Sequence, residues 1–311
     1  MAKMKKYILI SCIILLFSSS GLSQNRDFVP LFNGRDLTNW VLAAPEGFEV
    51  ILGEMITRSY GPGTDIFTAK SYGNFILRLE FLLSEVGNSG VFIWRNPAIQ
   101  SNGFEVQLLA PWTPWRPDLY CTGSLYGHVA VSNRPDETPG IWYSMEITCD
   151  RELVTVSVNG EITTIADIDT VETLAGKPFT GLIGLQGNHG AKGQYAKFRN
   201  IYIRDLDAEP DYVLKGFHDK NDQRRKLARI AAVNLGAEMI QPLAGLLSSE
   251  NTAARSSARQ ALFDIVARAS DPENPENSRA KVRSAMNKSI QVSSTETTVN
   301  YLEWLSGLIA E

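Results

Sequence analysis

The sequence is poor in the residues that build metal and redox centres. It has three cysteines and three histidines in 311 residues. No Cys-x-x-Cys and no closely spaced His pair occurs, so the usual zinc spacings are missing. Surplus positive charge is missing too. A formal net charge of -4 leaves no basic footprint for duplex nucleic acid, and no nucleic-acid partner is expected. Long apolar runs are reduced to one, Tyr7 to Phe17, shorter than the ~20 residues a spanning helix needs, so no membrane span is expected. Lys3, Lys5 and Lys6 precede that run and Gly21-Leu22-Ser23 follows it. The pattern predicts an export signal over residues 1–23, cleaved near Ser23/Gln24, and a periplasmic or secreted protein.

What is present is ordinary globular material. Hydrophobic residues make up 44% and charged residues 21%, which excludes a wholly disordered chain. The length fits two domains. Residues 25–208 hold the acidic surplus, 21 Asp+Glu against 14 Lys+Arg. Past the leader the cysteines are Cys121 and Cys149. An exported chain permits a bridge between them, and two buried free thiols fit equally well.

From about residue 27 to 207 the grammar is β. Phe75, Leu77, Leu79 and Phe81 alternate with Arg78 and Glu80, and Tyr143, Met145, Ile147 and Cys149 alternate with Ser144, Glu146 and Thr148. Val154, Val156 and Val158 lead into Asn159-Gly160, a hairpin turn. Many short strands broken by turns predict an antiparallel sandwich. The runs Phe28–Phe32 and Lys197–Arg204 are expected to pair and close it. Trp40 and Trp142 are both expected in its core. After Pro210 the period becomes 3.6, and residues 210–311 are predicted to be a smaller all-α domain. Leu246-Leu247 with Arg255 to Leu262 is phrased like a HEAT-like repeat, and a plain antiparallel bundle fits nearly as well. No titratable cluster lies there, so the tail reads as a packing module or a surface for a protein partner.

Chemistry-bearing residues sit in the β block. In Phe104-Glu105-Val106-Gln107-Leu108, strand alternation puts Glu105 and Gln107 on one face. Gly87-Asn88-Ser89-Gly90 reads as a polar turn entering Val91 to Arg95, with Arg95 in the parity of Val91 and Ile93. His189 lies in Gly187-Asn188-His189-Gly190, after an apolar strand. Its imidazole suits a solvated loop, a metal ligand or proton transfer near neutral pH. Trp112 and Trp115 share a Pro-stiffened loop with Arg116. They can cap the core or offer flat faces to a sugar ring, with Arg116 stacked on them.

Taken in order, these segments resemble the 3-keto-disaccharide hydrolase domain family, whose fold is a concanavalin A-like (LamG-like) jelly-roll sandwich. The resemblance opens at Leu31-Phe32-Asn33-Gly34-Arg35-Asp36-Leu37-Thr38-Asn39-Trp40. It runs through Gly87 to Phe92, Phe104 to Leu108, Thr122-Gly123-Ser124-Leu125-Tyr126, Pro139-Gly140-Ile141-Trp142 and Val158-Asn159-Gly160. It closes with Gly184-Leu185-Gln186, His189-Gly190 and Phe198 to Arg204. Leu109-Ala110 stands where the family usually has an acid, and Gly187-Asn188 separates Gln186 from His189.

The resemblance implies carbohydrate chemistry on 3-keto-glycosides. A ketone at sugar carbon 3 acidifies the hydrogen at carbon 2, so a base can start an elimination that expels the oxygen on carbon 1; hydration follows. The site then needs a base, an enolate stabiliser and a proton donor. Glu105 is the expected general base or metal-binding carboxylate, His189 the acid or second base, and Arg95 the anion stabiliser. Gln107, Asn88, Trp112, Trp115 and Tyr126 are the expected substrate contacts. A divalent metal would serve in place of the enolate stabiliser. A non-catalytic carbohydrate-binding sandwich and an interaction protein using the helical tail are the competing readings. Convergence of Glu105, Gln107, Arg95 and His189 in one recess separates them.

Overall fold

The computed structural model describes residues 28–44, 46–58, 65–99, 103–112, 116–189, 191–273 and 276–309. The leader at 1–23 and Trp115 lie outside them. Among the described residues the chain forms two antiparallel sheets and then helices. The larger sheet contains β1 (Val29–Pro30), β3 (Phe48–Ile51), β4 (Glu54–Thr57), β6 (Phe75–Leu83), β9 (Tyr143–Asp150), β10 (Leu153–Val158), β11 (Glu161–Asp167) and β13 (Ala196–Asp205). Its order is β11-β10-β9-β6-β13-β4-β3, with β1 on β13. The smaller sheet contains β2 (Trp40–Leu42), β5 (Ile66–Tyr72), β7 (Asn88–Arg95), β8 (Phe104–Leu109) and β12 (Gly181–Leu185), in the order β2-β5-β12-β7-β8.

Alternation makes the sandwich. Phe75, Leu77, Leu79 and Phe81 of β6 face Val91, Ile93, Val106 and Leu108 of the smaller sheet in one buried cluster. Each such side chain taken fully from water is worth roughly 2 kcal/mol. Val29 pairs with Ile203 and Pro30 with Tyr202, so the first strand closes the sandwich on the last, as expected. Asn159 and Gly160 both take positive φ, 51° and 83°, the geometry of a two-residue hairpin turn.

Three expectations need correction. Asn88, Ser89 and Gly90 are strand residues of β7, not a turn; their backbones pair with Leu109, Leu108 and Gln107. Trp40 is buried at 7% exposure, but Trp142 is only half-buried, with the Arg199 guanidinium 4.0 Å from its ring. Arg116 is not stacked on Trp112, because its side chain pairs with the buried Glu137 carboxylate, and Trp115 lies outside the described residues. Cys121 and Cys149 are both buried free thiols.

Among the described residues six helices follow: α1 (Pro210–Gly216), α2 (Asp222–Leu235), α3 (Ile240–Leu246), α4 (Thr252–Ser270), α5 (Glu276–Val292) and α6 (Glu296–Ile309). Asn221 caps α2 by accepting from the Gln223 and Arg224 N–H groups, and Gly236 stops it at φ 63°. All six contribute to one apolar cluster that includes Val213, Ala232, Leu243, Leu262, Met286 and Leu305. Consecutive helices pair, α1 with α2, α3 with α4 and α5 with α6, while α2, α4 and α6 stack in turn, an order that both a HEAT-like repeat and a plain antiparallel bundle accommodate. No helix among the described residues is long and apolar enough to cross a membrane.

Candidate active site

The outer face of the smaller sheet carries the chemistry. Because paired antiparallel residues share a face, the register puts Glu105, Phe92, Gly184, Phe67 and Val41 in one row, and Gln107 and Gly90 in the next. The segment after β8 extends this sheet: Tyr126 N–H donates to Glu105 O at 2.9 Å, beside the Val106–Leu125 bridge. Tyr126 therefore stands next to Glu105, and Tyr120 packs edge-on against it, centroids 5.0 Å apart. Phe67 and Phe92 stack over Gly184 at 6.0 Å. They are 4% and 6% exposed although they point away from the core, so this face is a covered recess with an aromatic floor.

Glu105 lies in that recess with its Oε1 buried and without a hydrogen-bond partner. Burial, reinforced by the Asp65 carboxylate and opposed by Arg95, pushes its carboxyl up to about 8. It therefore holds its proton at neutral pH. Asp65 is raised as well, first by burial, while the Gly187 N–H, Arg95 and His189 hold it down. That N–H donates to Asp65 Oδ1 at 3.0 Å.

Arg95 enters by a route the sequence parity does not give. Trp94 has φ 52°, and Leu182 pairs with Arg95 while Gly184 pairs with Phe92, which marks a bulge. The bulge drops Trp94 into the core and turns Arg95 to the opposite face from Val91 and Ile93. Its guanidinium sits 5.1 Å from the Phe92 ring. Lys177 is nearby, and burial followed by Arg95 lowers its ammonium pKa.

The His189 loop is tied down from both sides. Asn188 is buried and accepts from Thr57 Oγ1 at 2.6 Å, and His189 N–H donates to Gln194 Oε1 at 2.7 Å. His189 Nε2 is 2.8 Å from Gln186 Oε1. An amide oxygen only accepts, so Nε2 carries the hydrogen and a neutral ring keeps Nδ1 as its basic nitrogen.

Of the expected residues, Glu105, Gln107, Asn88, Arg95, His189 and Tyr126 meet on this face and its rim. Gln107 is 3% exposed and donates from Nε2 to Asn88 Oδ1 at 3.0 Å, so that pair props up the strand beside Glu105. Trp112 is 48% exposed, and no described contact joins it to Glu105. Sequence reading missed Asp65, Gln186 and Lys177. Asp65 belongs to no motif that sequence reading singles out; only the β5–β12 register brings it to Gly187. Among the described residues no three His, Cys, Asp or Glu side chains are grouped to hold a metal ion, so the residues do not fit the divalent metal considered above and no step is derived through one.

Fold and site together define a two-sheet jelly-roll sandwich with an aromatic-floored acidic recess, and its family match makes it carbohydrate-active. Residues 27–204 match the 3-keto-alpha-glucoside-1,2-lyase-like domain, and the chain belongs to that family. Two solved structures of glycosyl-hydrolase-like proteins from Parabacteroides distasonis are similar to it. One is 28% identical, with a TM-score of 0.50 over 57% of this chain and 98% of that one. The other is 24% identical, with a TM-score of 0.50 over 58% and 95%. Curated proteins gave no match. The helices beyond residue 204 lie outside the family match.

Proposed function

We propose that the recess cleaves 3-keto-glycosides by elimination followed by hydration. The observation that carries this reading is the buried Glu105 carboxyl, its Oε1 without a hydrogen-bond partner among the described residues and its pKa pushed up to about 8, on a face that Arg95 shares and the Gln186-bound His189 borders. The acid and base roles are thereby exchanged from the sequence expectation. His189 Nδ1 takes the proton from sugar carbon 2. The electron pair left behind delocalises onto the carbon-3 oxygen as an enolate, which the Arg95 guanidinium stabilises. The carbonyl re-forms, a double bond forms between carbons 1 and 2, and the carbon 1–oxygen bond breaks. The departing oxygen takes the Glu105 proton. Water then adds its oxygen to carbon 1 and a proton to carbon 2. The net reaction is hydrolysis, with no oxidant consumed.

Tyr126, beside Glu105, would offer its ring face to the sugar. The leader pattern read from the sequence supports an activity in the periplasm or outside the cell. The test compares a 3-keto-glucoside with its unoxidised parent. Cleavage of the keto sugar alone supports the reading; equal cleavage of both, or of neither, removes it.

A further inference from the structure

We propose that Arg224 of the helical extension is a positioning residue for Arg95, acting through Phe179 and Trp94. The inference rests on the proposed function only for its activity readout.

The chain of contacts is continuous. Arg224 lies near the start of α2, outside the family domain. Its guanidinium forks onto Asp169 of the sandwich at 3.0 and 2.9 Å, and its Nε donates to Asp219 at 3.0 Å. The same guanidinium lies 5.8 Å from the Phe179 ring. Phe179 meets Trp94 edge-on, centroids 6.1 Å apart. Trp94 is the positive-φ bulge residue that aims Arg95 into the recess.

A second tie comes from the same junction. Asp207, at the end of the sandwich, accepts from Asn74 N–H at 2.9 Å and from Asn74 Nδ2 at 2.8 Å. That holds the turn whose Gly73 O accepts the Trp94 indole N–H at 2.8 Å. The bulge has little slack of its own. A Cβ at Gly181 would stand 2.7 Å from Trp94 Cα, so the backbones are in close contact there. A side chain packed this tightly passes a displacement on to its neighbours. With Arg224 cut back, Phe179 loses the group that covers it. Trp94 can then relax toward an ordinary strand φ, which turns Arg95 away from Glu105.

A hydrophobic clamp alone would need no ion-pair fork. The fork fixes where the guanidinium sits, and so where the Phe179 face sits. Lys177, two residues before Phe179 and an electrostatic neighbour of Arg95, rides on the same segment.

The test uses the full chain with Arg224→Ala and Phe179→Leu. The second keeps an apolar side chain and every Arg224 ion pair, so it stays informative if the first unfolds. Arg255→Ala, in the same helical extension, is the control. The first readout is the Glu105 titration, followed by carboxyl-carbon NMR of Glu-labelled protein without substrate. The charged groups that act on Glu105 are Asp65 and Arg95, and Arg95 is the one that favours its ionised form. Displacing Arg95 must therefore raise the Glu105 titration above its wild-type value. The second readout is turnover of a 3-keto-glucoside, where kcat should fall about tenfold or more with KM within about twofold. An upward Glu105 shift in folded Arg224→Ala or Phe179→Leu, absent in Arg255→Ala, supports the proposal. Wild-type Glu105 titration in both variants overturns it, whatever the activity. If the shift appears but the wild-type protein leaves every 3-keto-glycoside intact, the proposed function fails and the positioning stands.

Discussion

Gly90 and Glu105 occupy diagonal positions on adjacent strands, and the space between them holds one side chain. A Cβ built on Gly90 would stand 2.6 Å from Glu105 Cδ and closer still to Oε1. The bare backbone of Gly90 is what lets the carboxyl lie down in the recess.

Gly90→Ala should therefore displace the carboxyl rather than unfold the sheet, since a Glu side chain can swing aside. The melting cost should stay near ~1 kcal/mol, while turnover of a 3-keto-glucoside falls about 100-fold from misplacing the acid. Wild-type turnover in a folded Gly90→Ala protein would contradict this.

Stability should record the buried acid. The folded pKa of Glu105, about 8, lies above its ordinary 4.5. Below that ordinary value both states are neutral and Glu105 costs nothing. As pH rises toward 8 the unfolded chain gains by ionising while the folded one cannot, so stability is lost through that window. Glu105→Gln should match wild type in melting near pH 4 and exceed it near pH 8, by on the order of 2–4 kcal/mol. Equal melting curves at both pH values would count against a neutral Glu105.

Asp65 sets part of that shift, because its negative charge opposes ionisation of Glu105. Asp65→Asn should lower the Glu105 titration. It should also move the alkaline limb of the pH–rate profile, expected near pH 8 in the wild-type protein, to lower pH. An unmoved limb would detach Glu105 from that limb.

The two tryptophans of the opening and of β9's approach should separate in scale. Trp40 is 7% exposed and its indole donates to Leu31 O at 2.9 Å, so Trp40→Ala should cost about 3–5 kcal/mol. Trp142, half-buried under Arg199, should cost only about 1 kcal/mol on the same change. Chemical denaturation of the two variants checks the order.

Much of this was legible in the sequence, for identifiable reasons. Period-2 alternation at Phe75–Phe81 and period-3.6 stripes after Pro210 are local patterns, and they separated sandwich from helices. Glu105 and Gln107 share a face by alternation alone. Arg95 reaches the expected site but on the face that plain alternation denies it, because one positive-φ residue, Trp94, reverses the parity. Asp65 and Lys177 were invisible because only the pairing of strands far apart in sequence brings them to the site. The acid role proposed for Glu105 rests on burial and on Asp65, neither of which a strand pattern carries.

The central claim is that bond cleavage begins with proton removal from sugar carbon 2. It is tested by a 3-keto-glucoside carrying deuterium at that carbon, in ordinary water, with mass and NMR analysis of the released sugar. The account predicts slower turnover than for the undeuterated substrate and a released sugar that has lost the carbon-2 deuterium, with both the reaction and the loss abolished in His189→Ala. Release of a sugar that retains its deuterium, at the undeuterated rate, would contradict it.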